Sequence, residues 1–297
     1  MSLRASTTFD WLNGDIGELR ARYEQAFRVD SAELCSWESV EHQGQPLRLL
    51  IQRPTRLRSH ECCIVYFHGG GWIVGSPSTH ADISAALCGQ SGLRVVSVDY
   101  RLAPEYVAPA PVEDGIAALA HVFSKSPADG GRASAILCGD SAGAAIAMAV
   151  ERLAAPAICD RILGVCSLYG SFGLLDSASL RQWGSREDGL DADCVRRFWR
   201  LANVPGKVSP YTVESLSGPS DIPVYILAAG RDPIRDDSIA LAKSLKIAGR
   251  NFVFDVVESA IHGFLHRAHH SRVAQDAFER VGLWADGFVF GVRQKQH

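Results

Sequence analysis

The sequence predicts an α/β protein built on a mostly parallel sheet with helices on both faces. Two observations carry that prediction. From Glu61 onward, short runs rich in β-branched and aromatic residues alternate with longer helix-like segments, the pattern of strand and helix crossovers. Most of those runs are continuously apolar, as strands covered on both faces must be. A third observation sets the limits: residues 1–30 and 171–219 break the alternation and read as helices outside the sheet.

Taken in chain order, the first stretch carries Trp11, Leu12, Leu19, Tyr23 and Phe27 at roughly helical spacing. Next, "LCSWESVEH" and "LRLLIQR" flank a Gln-Gly-Gln turn and read as an antiparallel hairpin added to the sheet. The core strands are "CIVYF", "RVVSVDY", "AILCG", "ILGVCSLY", "PVYILAA" and "FVFDVV". Helices are expected at about 81–90, 112–124, 142–154 and 236–248, with a last one at about 272–287. The insertion holds Trp183, Phe198, Trp199 and Leu201 among charges. A long insertion after a sheet strand is more often functional than idle, so it is expected to pack with the N-terminal helices as a lid. The bland alternative is extra helices that merely cover the sheet. The chain thus divides into an N-terminal cap at 1–30, a first core part at 31–170, a cap insertion at 171–219 and a second core part at 220–297.

Composition excludes several classes. The 297 residues are 47% hydrophobic and 21% charged, ordinary for a soluble globular protein with a sizeable core. A net charge of -3 and the lack of any Lys/Arg-rich block argue against a nucleic-acid partner and for a small molecule. The N-terminus has early acidic residues and no apolar core, so no secretory signal is read there. No stretch approaches the roughly 18 consecutive apolar residues of a membrane span, and a cytoplasmic location without stable membrane association is expected. The eight cysteines are scattered without a C-x-x-C pair, which leaves little case for zinc or a disulfide framework. His266, His269 and His270 cluster, but no carboxylate or cysteine pattern completes a metal site beside them, and a solvated face is the expectation.

The strongest local signal is "AILCGDSAGAAIAMAVERLA", residues 135–154: a strand, then Gly139-Asp140-Ser141-Ala142-Gly143, then a helix rich in small residues. That is the setting of a nucleophile elbow, where a sharp strand-to-helix turn projects the serine from the sheet edge. A serine hydroxyl needs a base, and the base needs an orienting acid, in the chain order Ser, acid, His. Asp232 directly follows the strand "PVYILAA" and its Gly-Arg pair; Asp236 and Asp237 come later, where an acid suits a helix N-terminus. His262 alone among ten histidines follows a core strand at the right place. The candidates are therefore Ser141, Asp232 and His262. Upstream, "VYFHGGGWIVGS" sets three glycines after a strand, a run that either turns the chain or holds a reacting group.

With "HGGGW" at 68–72, "DYRLAPE" at 99–105, "GDSAG" at 139–143, "DPIRD" at 232–236 and "HGF" at 262–264, the chain resembles the hormone-sensitive lipase family of α/β-hydrolases, the bacterial carboxylesterases in particular. The resemblance implies an eight-stranded hydrolase sheet, a helical cap, no cofactor, and a small-molecule ester as substrate; the spacing of histidines and cysteines likewise leads to no metal being expected. It implies Ser141 as nucleophile, Asp232 as acid and His262 as base, with main-chain donors from Gly70, Gly71 and Ala142 receiving the oxyanion. His68 is expected to brace the glycine loop, Tyr100, Arg101 and Glu105 to act structurally near the site, and Asp140 to anchor the elbow. Trp72, Phe264, Trp183 and Trp199 are candidates for an apolar substrate pocket. The family includes homodimers, which nothing in this chain requires. Rival readings are an amidase or arylformamidase using the same three residues, and a non-catalytic receptor on a hydrolase scaffold, which the retained His262 disfavours. Ala144 and Ala145 stand where many relatives carry a second glycine.

Overall fold

The computed structural model describes residues 9–29, 35–125, 132–187, 189–266 and 270–294. Eight strands form one sheet: β1 (Cys35–His42), β2 (Gln45–Gln52), β3 (Cys62–Phe67), β4 (Arg94–Val98), β5 (Ser134–Asp140), β6 (Ile162–Leu168), β7 (Val224–Ala229) and β8 (Phe252–Val257). Their spatial order is β1-β2-β4-β3-β5-β6-β7-β8. The β1–β2 hairpin and the β2–β4 pair are antiparallel; every pair from β4 through β8 is parallel. The hairpin turns on Gln43 and Gly44, both at positive φ, the two-residue geometry that matches strand twist.

The period of two along β3 sorts its side chains to opposite faces. Cys63, Val65 and Phe67 join one apolar cluster with α3 (Ala110–Ser124) and α4 (Ala142–Leu153). Cys62, Ile64 and Tyr66 join a second cluster with α2 (Ala81–Ser91) and α10 (Arg272–Gln294). A sheet covered this way needs no alternating polarity, which is why its central strands read as unbroken apolar runs. The exception is β8, an edge strand on which Val253 and Phe254 stay exposed.

Two short helices, α5 (Pro156–Cys159) and α8 (Val213–Leu216), have no counterpart among the expected elements, being too brief to show a helical period. The others fall where the pattern puts them, including α9 (Arg235–Ile247), and α10 runs past the expected end at 287. The N-terminal stretch supplies α1 (Ile16–Phe27); the insertion supplies α6 (Ala178–Trp183) and α7 (Ala192–Ala202) besides α8. In α7, Cys194, Val195, Phe198 and Ala202 form a buried stripe at helical spacing, and Asp191 caps its start by accepting from Cys194 N at 2.8 Å.

The two stretches touch. Trp11 meets Phe198 edge to face at 5.9 Å between ring centroids. Arg197 donates to the carbonyls of Trp11 and Gly14, each at 2.7 Å. From α1, Arg20 donates to Ile73 O at 2.8 Å and Ala103 O at 2.7 Å, and its guanidinium pairs with Glu105. The N-terminal stretch is thereby fixed both to the insertion and to the glycine-rich loop after β3.

Candidate active site

Four segments converge at the carboxyl ends of parallel strands, the edge where open α/β sheets present their ligand crevice. The glycine loop follows β3, Ser141 follows β5, Asp232 follows β7 and His262 follows β8. Ser141 sits at φ 53 and ψ -120, outside the regions a side-chain-bearing residue normally occupies. Close approach on both sides holds it there. A Cβ on Gly139 would lie 2.2 Å from Gly143 O, and one on Gly143 would lie 2.0 Å from Phe67 O. Glycine at both positions is therefore a steric requirement of the elbow.

The structure brings Ser141, His262 and Asp232 together. Ser141 Oγ lies 3.0 Å from His262 Nε2, and His262 Nδ1 lies 2.8 Å from Asp232 Oδ2. Asp232 is fully buried, and its other oxygen accepts from Ile234 N at 2.8 Å, which orients the carboxylate. Burial acts to lower the basicity of His262, but attraction to Asp232 and their hydrogen bond outweigh it, so the imidazole stays above its ordinary pKa of 6.5.

Beside the serine, Gly70 closes the loop through its carbonyl, which accepts from Ile73 N at 3.1 Å and Val74 N at 3.0 Å. Among the described residues, no acceptor takes the N–H groups of Gly70, Gly71 or Ala142. Three main-chain donors are thus left open, two in the loop after β3 and one at Ala142, where the N-terminal end of α4 carries partial positive charge.

Asp140 couples the elbow to this loop. Its Oδ1 accepts from Gly69 N at 2.8 Å and from Tyr66 Oη at 2.5 Å. Hydrogen bonds to a charged acceptor contribute about 1.5–3 kcal/mol each, so Asp140 clamps the start of the glycine loop against the nucleophile turn. Burial raises the pKa of Asp140, partly countered by these donors and by nearby imidazoles. The Tyr66 hydroxyl went unread in the sequence, because a strand tyrosine carries no local mark of its partner.

The remaining expectations divide. His68 is buried, stacks on Tyr100 at 4.2 Å, donates from Nδ1 to Gly69 O at 2.8 Å and accepts through its carbonyl from Tyr100 Oη at 2.7 Å. Burial lowers its pKa to about 4. Arg101 works farther out, holding Asp114 at 2.9 Å and reaching Gln43 in the hairpin turn. Trp72 is 3% exposed, with its ring stacked on Tyr211 at 5.2 Å and edge-on to Trp199 at 5.8 Å, so it packs the loop against the insertion. Phe264 is half-buried 5.7 Å from Tyr169, whose ring also meets His262 at 5.1 Å. Trp183 lies on the surface at the end of α6. Trp199 covers Gly173 and lines a cavity of about 540 Å³ with Asn203, Val208 and Thr212, a cavity that none of Ser141, Asp232 and His262 lines.

Asp236 and Asp237 do stand in the first turn of α9, but they also tie that helix to the insertion. Asp236 accepts from Ser179 N at 2.9 Å, and buried Asp237 accepts from Phe172 N and Leu174 N. Burial pushes the Asp237 carboxyl up to about 7.

The histidine cluster requires a correction. His269 lies outside the described residues and His270 is exposed, but His266 is no part of a solvated face. It is half-buried, 4.6 Å from the His80 ring and 5.2 Å from Phe27. Asp140 supplies the carboxylate that the local sequence lacks, and ligating atoms of His80, Asp140 and His266 lie within 4.8 Å of one another. Among the described residues, no helix is long and apolar enough to cross a membrane.

Sheet order and elbow define the class of protein first: an α/β-hydrolase fold with a serine at its turn. A family model described as the alpha/beta hydrolase fold matches residues 64–266. An acetyl esterase of Salmonella dublin is 30% identical over 240 residues, which is 78% of this chain and 73% of that one. The hyperthermophilic esterase from the archaeon Pyrobaculum calidifontis superimposes with a TM-score of 0.80 at 26% identity, covering 95% of this chain and 93% of its own. An ester-hydrolase from the metagenome of Lake Arreo, complexed with a bipyridine phosphonate derivative, gives a TM-score of 0.77 at 26% identity over 93% of this chain and 91% of its own. The chain belongs to the α/β-hydrolase fold family, in its hormone-sensitive lipase group.

Proposed function

We propose that this protein is a serine carboxylesterase that hydrolyses small carboxylic esters through an acyl-enzyme. The observation that carries the reading is the relay itself, with Ser141 Oγ 3.0 Å from His262 Nε2 and His262 Nδ1 2.8 Å from Asp232, beside open main-chain donors.

The Nδ1 proton donates to Asp232, so Nε2 presents its lone pair to the serine hydroxyl. As Oγ attacks the ester carbon, its proton passes to Nε2 and the carbonyl electron pair moves onto oxygen. The N–H groups of Gly70, Gly71 and Ala142 receive that oxyanion. Collapse breaks the bond to the alcohol oxygen, which takes the proton from Nε2 and leaves. Water then repeats the sequence: its proton goes to Nε2, its oxygen bonds to the acyl carbon, and Oγ departs with the proton. Asp232 stays ionised and stabilises the imidazolium in both halves.

Two observations support a short acyl group. The Phe198 ring lies against Gly71, where an added Cβ would meet its Cδ2 at 3.0 Å, so α7 closes directly over the donor loop. The Salmonella relative is an acetyl esterase. In this reading the N-terminal stretch and the insertion act together as the cap. Replacing Ser141 with alanine is expected to abolish p-nitrophenyl acetate hydrolysis with an unchanged circular dichroism spectrum. Undiminished turnover by folded Ser141→Ala would remove the proposal.

A further inference from the structure

The ester reaction leaves one buried imidazole without a task. His80, the residue before α2, is 1% exposed, and among the described residues its Nε2 has no hydrogen-bond partner. The opposite nitrogen fixes its tautomer. With the single hydrogen of Thr79 Oγ1 on Ser76 O at 2.9 Å, the 2.9 Å contact to His80 Nδ1 is a hydrogen bond when Nδ1 carries the hydrogen, the arrangement that satisfies both contacts. Nε2 then presents a bare lone pair to Asp140 Oδ2 across 3.8 Å. Two electron-rich atoms face each other in a buried place, an arrangement that favours a positive charge between them.

His266 is the third group, with its ring edge to face against His80 at 4.6 Å. We propose that His80 Nε2, Asp140 Oδ2 and the His266 imidazole bind a divalent transition cation of the zinc class, with water in the fourth position. Two imidazoles and a carboxylate are a donor set for tetrahedral zinc, at about 2.0–2.2 Å per bond, which separates neighbouring donors by roughly 3.4 Å. The 3.8 Å pair therefore needs to close by only a few tenths of an ångström, and the pairs with His266, within 4.8 Å, by up to about 1.4 Å. Hard cations such as magnesium and calcium are excluded by the nitrogen donors. Outer partners are in place: Thr79 on His80, and Tyr66 with Gly69 N on Asp140 Oδ1. His266 is half-buried, which gives a cation its route in. Because Asp140 also clamps the glycine loop, such an ion would sit one residue from the nucleophile without touching it.

The test uses the full chain, stripped with chelator and titrated with Zn²⁺ in a calorimeter and with Co²⁺ in a visible spectrophotometer. One zinc per chain at micromolar affinity or tighter is expected, together with the intense cobalt bands of four-coordination. His266→Ala and His80→Gln should each weaken zinc by at least about tenfold, whereas His262→Ala should leave its affinity unchanged. Thermal melts identify the folded variants, and should His80→Gln not fold, the half-buried His266→Ala decides. No saturable zinc, a weak six-coordinate cobalt spectrum, or zinc affinity lost in His262→Ala and kept in His266→Ala overturns the proposal. None of these readouts depends on ester turnover.

Discussion

Alanine at position 70 tests the donor loop more sharply than any change at the triad. Gly70 holds φ 113, and a Cβ there would stand 2.2 Å from Val74 O and 2.8 Å from Val74 C. Both obstacles are backbone, and Val74 N is itself bonded back to Gly70 O, so no flexible side chain can yield. The unfavourable φ alone costs about 1–3 kcal/mol. Relieving the contact requires an opening of about 1 Å to reach ordinary van der Waals separation. Oxyanion donors act at about 2.7–3.1 Å, so that shift takes them out of range. Gly70→Ala should therefore lower kcat by about 10² to 10³, equivalent to about 2.7–4 kcal/mol of lost transition-state stabilisation. KM for a small ester should change little, since the ground-state carbonyl draws little from these donors. Initial rates with p-nitrophenyl acetate over a range of concentrations measure both, with near-ultraviolet dichroism to establish folding. Gly71→Ala is the internal comparison: φ 58 is a region other residues visit, and the contact at 3.0 Å is with the Phe198 side chain, so a smaller loss is expected. A folded Gly70→Ala with kcat within about threefold of the parent would refute the reasoning, as would a greater loss in Gly71→Ala.

Three further outcomes follow from the same geometry. Since His262 must be neutral to accept the serine proton and its pKa is raised above 6.5, kcat/KM should climb with pH through a limb above 6.5; in Asp232→Asn a pH profile should show that limb moved down and kcat reduced by about 10⁴. Asp237 has a folded-state pKa raised from 3.8 to about 7, so the native chain keeps a proton that the unfolded chain releases. Stability is then fullest below the ordinary carboxylate pKa and is lost as pH rises through about 7, by about 4 kcal/mol, and urea titrations should show a flatter pH dependence in Asp237→Asn. Arg197→Met keeps the apolar stem but drops two charge-assisted bonds of about 1.5–3 kcal/mol each; limited proteolysis should release the N-terminal stretch at least tenfold faster.

The central sheet was legible because burial on both faces leaves an unbroken apolar run, and the elbow because its two glycines answer steric contacts that no other residue meets. Chain order together with their places just past core strands put Asp232 and His262 beside Ser141. What escaped the sequence is long-range. Nothing near Tyr66 announces Asp140, and nothing near Arg20 announces Ile73 O. Neighbouring histidines made His266 read as a solvated face, whereas its companions arrive from the start of α2 and from the nucleophile turn. Asp236 and Asp237 were legible as first-turn acids, but their second job, holding the backbone of the insertion, depends on how α9 docks. The contacts of Trp72 with Tyr211 and Trp199 also went unread, because position in a motif does not say which distant rings meet it.

The way α1 and its leading turn are held separates attachment from recognition. Arg197 grips the carbonyls of Trp11 and Gly14, and Arg20 grips those of Ile73 and Ala103. Carbonyls are the same whatever side chain they carry. Exposed side chains between residues 10 and 27 can thus change without loosening either grip, so long as both arginines and the turn and cap acids Asp10 and Asp15 are kept.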